Sequence, residues 1–250
     1  MTFHLELNDI SVSFNGFRAL SGLTMQVRRG ELRCLIGPNG AGKTTALDII
    51  CGKAHQTSGT VKLDGALLNG LEEYEIARAG IGRKFQVPSV FRELTVCENL
   101  QVALAQRPSV RGNLRWNYAR TDRAGIESFA ELVGLESELT KPAAYLSHGQ
   151  TQWLEIGMLV AQGAELLLMD EPTAGMTANE TRKTADLFLR LKGEHTLIVV
   201  EHDMGFVKAI GDVISVMHVG RLLAEGTAAE IEAHPEVRRA YLGSRGITNA

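Results

Sequence analysis

The sequence predicts an α/β protein in which a parallel sheet is covered by helices. Three short, almost unbroken apolar runs lie at Leu32–Ile36, 166–169 and 197–200, and such runs are typical of strands buried on both faces. The first run leads into the pattern G-x-x-x-x-G-K-[ST] at residues 37–44 and then into a helical stretch over 44–51. A strand, a glycine-rich turn and a helix in this order predict a phosphate-binding core.

Length and composition are those of an ordinary globular protein. The chain has 250 residues, of which 44% are hydrophobic and 22% charged, enough for one large domain. A formal net charge of −3 argues against a general nucleic-acid binder. No apolar stretch approaches the roughly 20 residues that cross a bilayer, and residues 1–8 show no secretory signal. We therefore expect any membrane role to go through partners.

The three cysteines indicate a reducing compartment. Cys34, Cys51 and Cys97 are odd in number, far apart and include no Cys-x-x-Cys pair. Buried thiols are therefore expected in place of disulfides or a metal site, as in cytosolic proteins.

The glycine-rich loop has the residue types that polyphosphate binding requires. Glycines let the backbone wrap an anion with its N–H groups pointing inward. Lys43 brings a positive charge to the β and γ phosphates, the Thr44 hydroxyl can ligate Mg²⁺, and the helix N-terminus favours the same anion. The expected nucleotide-binding residues are Gly37, Pro38, Asn39, Gly40, Ala41, Gly42, Lys43, Thr44 and Thr45.

Polar residues follow the other two apolar runs. Ligands of open α/β sheets bind at the carboxyl ends of the strands, so Asp170, Glu171 and His202 should converge on the phosphate loop. Asp170 is placed to hold Mg²⁺ directly or through water, and Glu171 to polarise the attacking water. His202 is expected to contact the γ-phosphate or that water. The alternatives are an acidic pair that caps a helix before Pro172, and a structural histidine.

A mostly helical region separates the first two of these strands. Apolar residues recur at helical spacing in 98–104, 125–135 and 151–160, and Ser147 is a suitable N-cap for the third helix. Arginines near two aromatic residues can mark single-stranded nucleic-acid binding, but the acidic balance favours a solvated face or the side that meets a membrane partner. These residues are Arg107, Arg111, Arg115, Trp116, Tyr118, Arg120 and Arg123.

Near the carboxyl end, Thr227 and Glu230 have the spacing of a capping box. The pattern predicts a helix through Ala233 and a second one over 237–242, packed on the core.

Over residues 4–243 the ordered set of motifs resembles an ATP-binding cassette ATPase. The set comprises the phosphate loop, Gln86, the segment 147–150, Asp170-Glu171 and His202. The resemblance implies a P-loop NTPase (RecA-like) core over about 1–86 and 161–226, a helical subdomain over about 87–160 and a helical tail over about 227–250. It also implies ATP and Mg²⁺ as cofactors, with two cassettes facing head to tail around the ATP.

Carried over by position, the resemblance assigns further roles. Phe14 would stack on adenine, although an aromatic residue in a first strand can also belong to the core. Gln86 would reach the Mg²⁺ and the attacking water. Ser147 and Gly149, with Gln150 in the same segment, would close on the γ-phosphate held by the partner's loop.

Two positions depart from the family pattern. His148 stands where the family usually has glycine, and its side chain could crowd the ATP or point to solvent. We expect it to point to solvent, because an exposed histidine needs no special role. Thr177 stands where many cassettes have aspartate, so coupling between the two sites could run through the backbone.

Some features resemble the branched-chain amino acid importer group, namely Ala174-Gly175, the long segment 99–123 and Tyr241-Leu242-Gly243. Within this group, residues 147–158, 174–177 and 201–204 look closer to the urea-importer cassette. The resemblance implies an ATP-hydrolysing motor for urea or short-chain amides, with branched-chain amino acid import as the alternative. The other alternative is a soluble, non-transport cassette protein of DNA repair or translation, but such proteins usually carry paired cassettes, a long coiled coil or basic extensions, and none is seen in this sequence.

The same resemblance implies the partners and the location. Transmembrane permease subunits and a second cassette, a different chain in preference to a second copy, would bind directly. An extracytoplasmic solute-binding protein would act indirectly, and no nucleic acid is expected. The chain would lie at the cytoplasmic side of a bacterial inner membrane, held there by the permease.

Overall fold

The computed structural model describes residues 3–14, 16–84, 89–105 and 123–239. Ten strands lie in these ranges: β1 (Leu5–Phe14), β2 (Phe17–Val27), β3 (Leu32–Ile36), β4 (Ser58–Leu63), β5 (Ala66–Leu67), β6 (Ile81–Lys84), β7 (Leu166–Asp170), β8 (Thr196–Val200), β9 (Val213–His218) and β10 (Arg221–Gly226). The α-helices there are α1 (Lys43–Ile50), α2 (Glu73–Arg78), α3 (Val96–Leu104), α4 (Arg123–Leu132), α5 (His148–Ala161), α6 (Ala178–Leu191), α7 (Met204–Ile210), α8 (Ala228–Ala233) and α9 (Pro235–Val237).

The strands form two sheets that differ in strand direction. The larger sheet has the order β10-β9-β3-β8-β7-β6, and its pairs are parallel except for the β9–β10 hairpin. The smaller sheet, β2-β1-β4-β5, is antiparallel throughout. Every residue of β3, β7 and β8 is buried, so the unbroken apolar runs do correspond to strands covered on both faces.

Helix α1 lies between the two sheets. Its Leu47 and Ile50 share one buried cluster with Leu5 and Leu7 of the small sheet and with Leu35 of β3. Because successive side chains of a strand point to opposite faces, Cys34 and Ile36 join the cluster on the other face. Helices α3, α5, α6 and α7 contribute to that second cluster.

Cys34 of this second cluster is a buried thiol. Burial raises the pKa of the Cys34 thiol to about 12. The thiol therefore stays protonated and unreactive at neutral pH, as expected for a buried cysteine.

The helical region differs from the predicted boundaries in detail. The helix predicted from the apolar spacing in 151–160 runs over His148–Ala161 with Ser147 as its N-cap, as predicted, and Ser147 and Gln150 form a capping box there. The helix expected over 125–135 runs instead over Arg123–Leu132. Residues 106–122 lie outside the described residues, and with them most of the arginine and aromatic cluster. The domain limits proposed near residues 86, 161 and 227 stay predictions.

The carboxyl-terminal part of the fold agrees in part with expectation. Thr227 caps α8 through the predicted capping box. A short helix lies at Pro235–Val237, whereas residues 240–250, which include half of the second helix predicted over 237–242 and Tyr241-Leu242-Gly243, lie outside the described residues. Among the described helices, none has the length and apolarity to span a bilayer.

Phe188 of α6 should be a determinant of stability. Its ring is fully buried and meets the ring of Phe206 of α7 edge-on, with centroids 6.1 Å apart. Phe188→Ala should lower the free energy of unfolding by about 3–5 kcal/mol, because it removes buried area and leaves a cavity. The free energy can be measured by denaturant unfolding. The control is Leu189→Ala, whose free energy of unfolding should change little because the Leu189 side chain is 45% exposed. Equal losses in both variants would contradict this packing.

Candidate nucleotide-binding site

The loop between β3 and α1 is built around glycines that cannot be replaced. Gly37 has φ 151°, and a Cβ atom on it would lie 2.2 Å from the carbonyl oxygen of Met217. Only glycine fits this approach of the loop to β9. Asn39 and Gly40, at the tip of the loop, are exposed. The loop therefore presents an open backbone turn at the carboxyl end of β3.

Lys43 is buried beneath this turn. Its Nζ donates hydrogen bonds to the carbonyl oxygens of Gly37 at 2.9 Å and Pro38 at 3.1 Å. Burial lowers the pKa of Lys43, and the nearby carboxylates of Glu171 and Asp170 oppose that shift. A polyphosphate at the turn would supply the anionic partner that a buried ammonium group favours, so these residues fit ATP.

Asp170 ends β7 beside the first turn of α1. Its carboxylate is buried, accepts a hydrogen bond from the Thr44 side chain and lies 3.7 Å from Arg83 Nη2. Burial raises the pKa of Asp170, against the effects of Thr44 and Arg83. A buried carboxylate beside a hydroxyl is the oxygen donor set that Mg²⁺ prefers, so Asp170 and Thr44 fit the ion.

Glu171 and His202 form a pair at the same edge. Glu171 has φ 47°, and its N–H donates to the carbonyl oxygen of Val200 at 2.9 Å. This left-handed backbone, rare outside glycine, ends the strand sharply. His202 Nε2 lies 2.8 Å from Glu171 Oε1. The two side chains are partly exposed, so the pair can meet a solvent-borne ligand.

Glu201 is a site residue whose role the sequence did not reveal. Its buried carboxylate accepts hydrogen bonds from the Thr173 N–H at 3.1 Å, the Thr173 hydroxyl at 2.6 Å and the His202 N–H at 3.0 Å. Glu201 thus joins the end of β8 to the loop after β7. It holds in place the two segments that carry His202 and Glu171.

A second group of predicted residues lies at the N-terminus of α5. Ser147 caps the helix by accepting from the Gln150 N–H at 3.1 Å, and its hydroxyl donates to Glu180 Oε1 of α6 at 2.9 Å. Gly149 is buried against the same carboxylate. Ser147, Gly149 and Gln150 therefore adjoin the start of α6 in this single chain.

His148 is not a free surface side chain. Its Nε2 lies 3.1 Å from the carbonyl oxygen of Ala174 and 2.7 Å from Gln152 Nε2. The residue is exposed, as expected, but its ring also contacts the rest of the chain. The ring lies against the loop after β7, and Nε2 can either donate to the Ala174 carbonyl oxygen or accept from Gln152, a contact that sequence spacing cannot reveal.

The remaining predicted site residues are placed as follows. Phe14 ends β1 and is 49% exposed, and Phe17, which begins β2, is 66% exposed, so neither belongs to the core. Gln86 lies outside the described residues. The structure brings Lys43, Thr44, Asp170, Glu171 and His202 together at one edge, while the assigned roles of all these residues stay predictions.

Glu201 should contribute to stability as well as to site geometry. Glu201→Ala would leave three donors without their acceptor and should lower the free energy of unfolding by about 2–3 kcal/mol. Chemical denaturation can measure this loss. The control is Glu194→Ala on an exposed turn, expected to stay within about 0.5 kcal/mol of the unmodified chain. A Glu201→Ala protein of unchanged stability would show that these hydrogen bonds contribute nothing.

Comparison with known proteins gives family matches over most of the chain. The family described as "ABC transporter" matches residues 20–174, and the one described as "Branched-chain amino acid ATP-binding cassette transporter" matches residues 221–246.

Individual relatives agree with these matches. The high-affinity branched-chain amino acid transport ATP-binding protein LivG of Salmonella typhimurium is 38% identical over 96% of this chain and 97% of that protein. BraF of Pseudomonas aeruginosa, which bears the same description, is 36% identical over 96% and 97%. The solved ADP conformation of an ATP-binding cassette of an ABC transporter is 28% identical, with a TM-score of 0.82 over 97% of this chain and 99% of that one.

Proposed function

This chain belongs to the ABC transporter family, as an ATP-binding subunit of the branched-chain amino acid importer group, and on that premise we propose that it powers the import of branched-chain amino acids. It is an ATPase whose activity is coupled to transport, and it uses ATP with Mg²⁺. The solute, the roles of individual residues and the detailed assembly are the proposed part.

The observation that supports the catalytic roles is the convergence of Lys43, Asp170, Glu171 and His202 at one edge of the parallel sheet. Lys43 binds the β and γ phosphates. Asp170 and Thr44 would hold Mg²⁺, which would neutralise phosphate charge when bound. Glu171 accepts a proton from the attacking water, and His202 orients the Glu171 carboxylate through the 2.8 Å contact.

Two further residues would complete this pocket. The Phe14 ring stacks on adenine, because it is an exposed aromatic side chain at the end of β1. Gln86 would reach the Mg²⁺ and the attacking water, a role that the family resemblance alone implies.

Ser147, Gly149 and Gln150 would act on a second molecule. Their donors at the N-terminus of α5 suit an anion, and we assign them to the γ-phosphate held by a facing cassette. That cassette is a different chain, and both dock on transmembrane permease subunits at the cytoplasmic face. A solute-binding protein delivers the solute from outside.

The names of the relatives support branched-chain amino acids as the solute. LivG and BraF are both described as branched-chain amino acid transport proteins. The family that matches the carboxyl-terminal residues names the same solute in its description. The closer likeness to a urea-importer cassette, expected from residues 147–158, 174–177 and 201–204, finds no support in these comparisons. Branched-chain amino acids, the alternative solute in the sequence analysis, are therefore better supported than urea.

Glu171→Gln should preserve ATP binding and lower turnover roughly 10²–10⁴-fold, because the amide cannot accept the proton of the attacking water. The measurement is ATP hydrolysis by the assembled transporter, together with ATP binding to the isolated chain. Glu165→Gln is the matched control, since Glu165 precedes the other end of the same strand and is exposed. Lys43→Ala should instead lose ATP binding. Near-normal hydrolysis by Glu171→Gln would refute the assignment.

The solute can be tested by uptake in a strain that lacks this chain. Complementation with the unmodified chain should restore uptake of radiolabelled leucine at micromolar concentration, whereas the Glu171→Gln chain should not. Urea uptake should be the same in all strains. Loss of urea uptake with normal leucine uptake would overturn the proposed solute without touching the ATPase assignment.

A further inference from the structure

The donors at the N-terminus of α5 are already occupied by a carboxylate of the same chain. Glu180 Oε1 accepts the Ser147 hydroxyl at 2.9 Å, and Gly149 packs against the same carboxylate, where its N–H helps to lower the pKa of Glu180. The other oxygen, Oε2, accepts the Thr177 N–H at 3.0 Å and the Thr177 hydroxyl at 2.9 Å. Glu180 therefore links the start of α5 to the start of α6.

The fit of this carboxylate against α5 is close. A Cβ atom on Gly149 would lie 2.7 Å from Glu180 Oε1 and 2.8 Å from its Cδ. Any larger residue at 149 would displace the side chain. The hydrogen bonds from the Thr177 backbone and hydroxyl, and then from Ser147, lower the pKa of Glu180. The group is therefore an anion at neutral pH, in the position at a helix N-terminus where an anion is stabilised.

Resting on the proposed function, we propose that Glu180 competes with the γ-phosphate of the facing cassette for Ser147 and Gly149. One hydroxyl proton and one N–H cannot serve a carboxylate and a phosphate at full strength, and two anions at one place repel each other. Glu180 thus stabilises the separated form of the cassettes and sets the ATP concentration needed to close them. A ligand shifts such an equilibrium only by its differential affinity for the two states.

The other interpretation is that Glu180 only caps α6, and the chain contains a matched control for it. Glu230 makes the same cap on α8, where its Oε2 accepts the Thr227 N–H at 2.7 Å and the Thr227 hydroxyl at 2.9 Å. Glutamine is tolerated at this position of a capping box. Glu180→Gln and Glu230→Gln therefore make the same chemical change at two caps, and only the first removes a carboxylate from Ser147 and Gly149.

The test is the ATP concentration that gives half-maximal hydrolysis in the assembled transporter. Glu180→Gln should lower this concentration roughly two- to fivefold, which is the size of effect expected when a partly exposed charged contact is removed. Glu180→Asp, which withdraws the carboxylate by one methylene, should act in the same direction. Glu230→Gln should match the unmodified chain. An unchanged or raised half-maximal concentration in both Glu180 variants would overturn the proposal, because a purely structural link would weaken closure when broken.

ATP binding to the isolated chain separates this proposal from the proposed function. Titration with ATP should give equal affinities for the unmodified chain and for Glu180→Gln, since the carboxylate acts on the other cassette's nucleotide, whereas Lys43→Ala should not bind. If the unmodified chain fails to bind ATP, the proposed function is wrong. If it binds ATP and Glu180→Gln leaves half-maximal hydrolysis unchanged, the competition alone is wrong.

Discussion

The parallel pairing of β8 with both β3 and β7 is the constraint on which the site depends. In register, Val200 lies opposite Leu35 on one side and Asp170 on the other. The residues that follow β3, β7 and β8 must therefore lie at the same edge of the sheet. They are the glycine-rich loop, Glu171 and the pair Glu201-His202. A shift of one residue in either pairing would turn every side chain of the shifted strand to the opposite face and separate these groups.

Charge is balanced around this edge by burial and hydrogen bonding. Lys43 and Asp170 are buried, and burial disfavours the charged form of each, which lowers the pKa of the first and raises that of the second. Thr44 donates to Asp170, and Lys43 donates to loop carbonyl oxygens. The buried charges of such a site are stabilised most when a polyanion and a cation bind together, because each buried group then lies beside an opposite charge. Glu201 keeps the surrounding loops fixed by accepting three hydrogen bonds.

The start of α5 lies under a different constraint. It is tied to the segment after β7 by Glu180 and by the His148 ring, which contacts the Ala174 carbonyl. The segment after Glu171 therefore contacts the start of α5 as well as the end of β7. Movement of α5 relative to α6 would therefore shift the loop that follows β7. The departure from the family pattern at His148 takes part in this linkage.

The sequence by itself determined the α/β class, the buried strands, the glycine-rich loop and the edge where Lys43, Asp170, Glu171 and His202 meet. It could do so because strand burial, loop spacing and parallel topology are all expressed in local patterns. Only the tertiary structure decided the contacts of Glu201 with Thr173, of His148 with Ala174 and of Glu180 with Ser147, since these partners lie 26 to 33 residues apart along the chain. The solute followed from neither, because no described residue of an ATPase subunit reports what its permease carries, and relatives favoured amino acids over the expected urea.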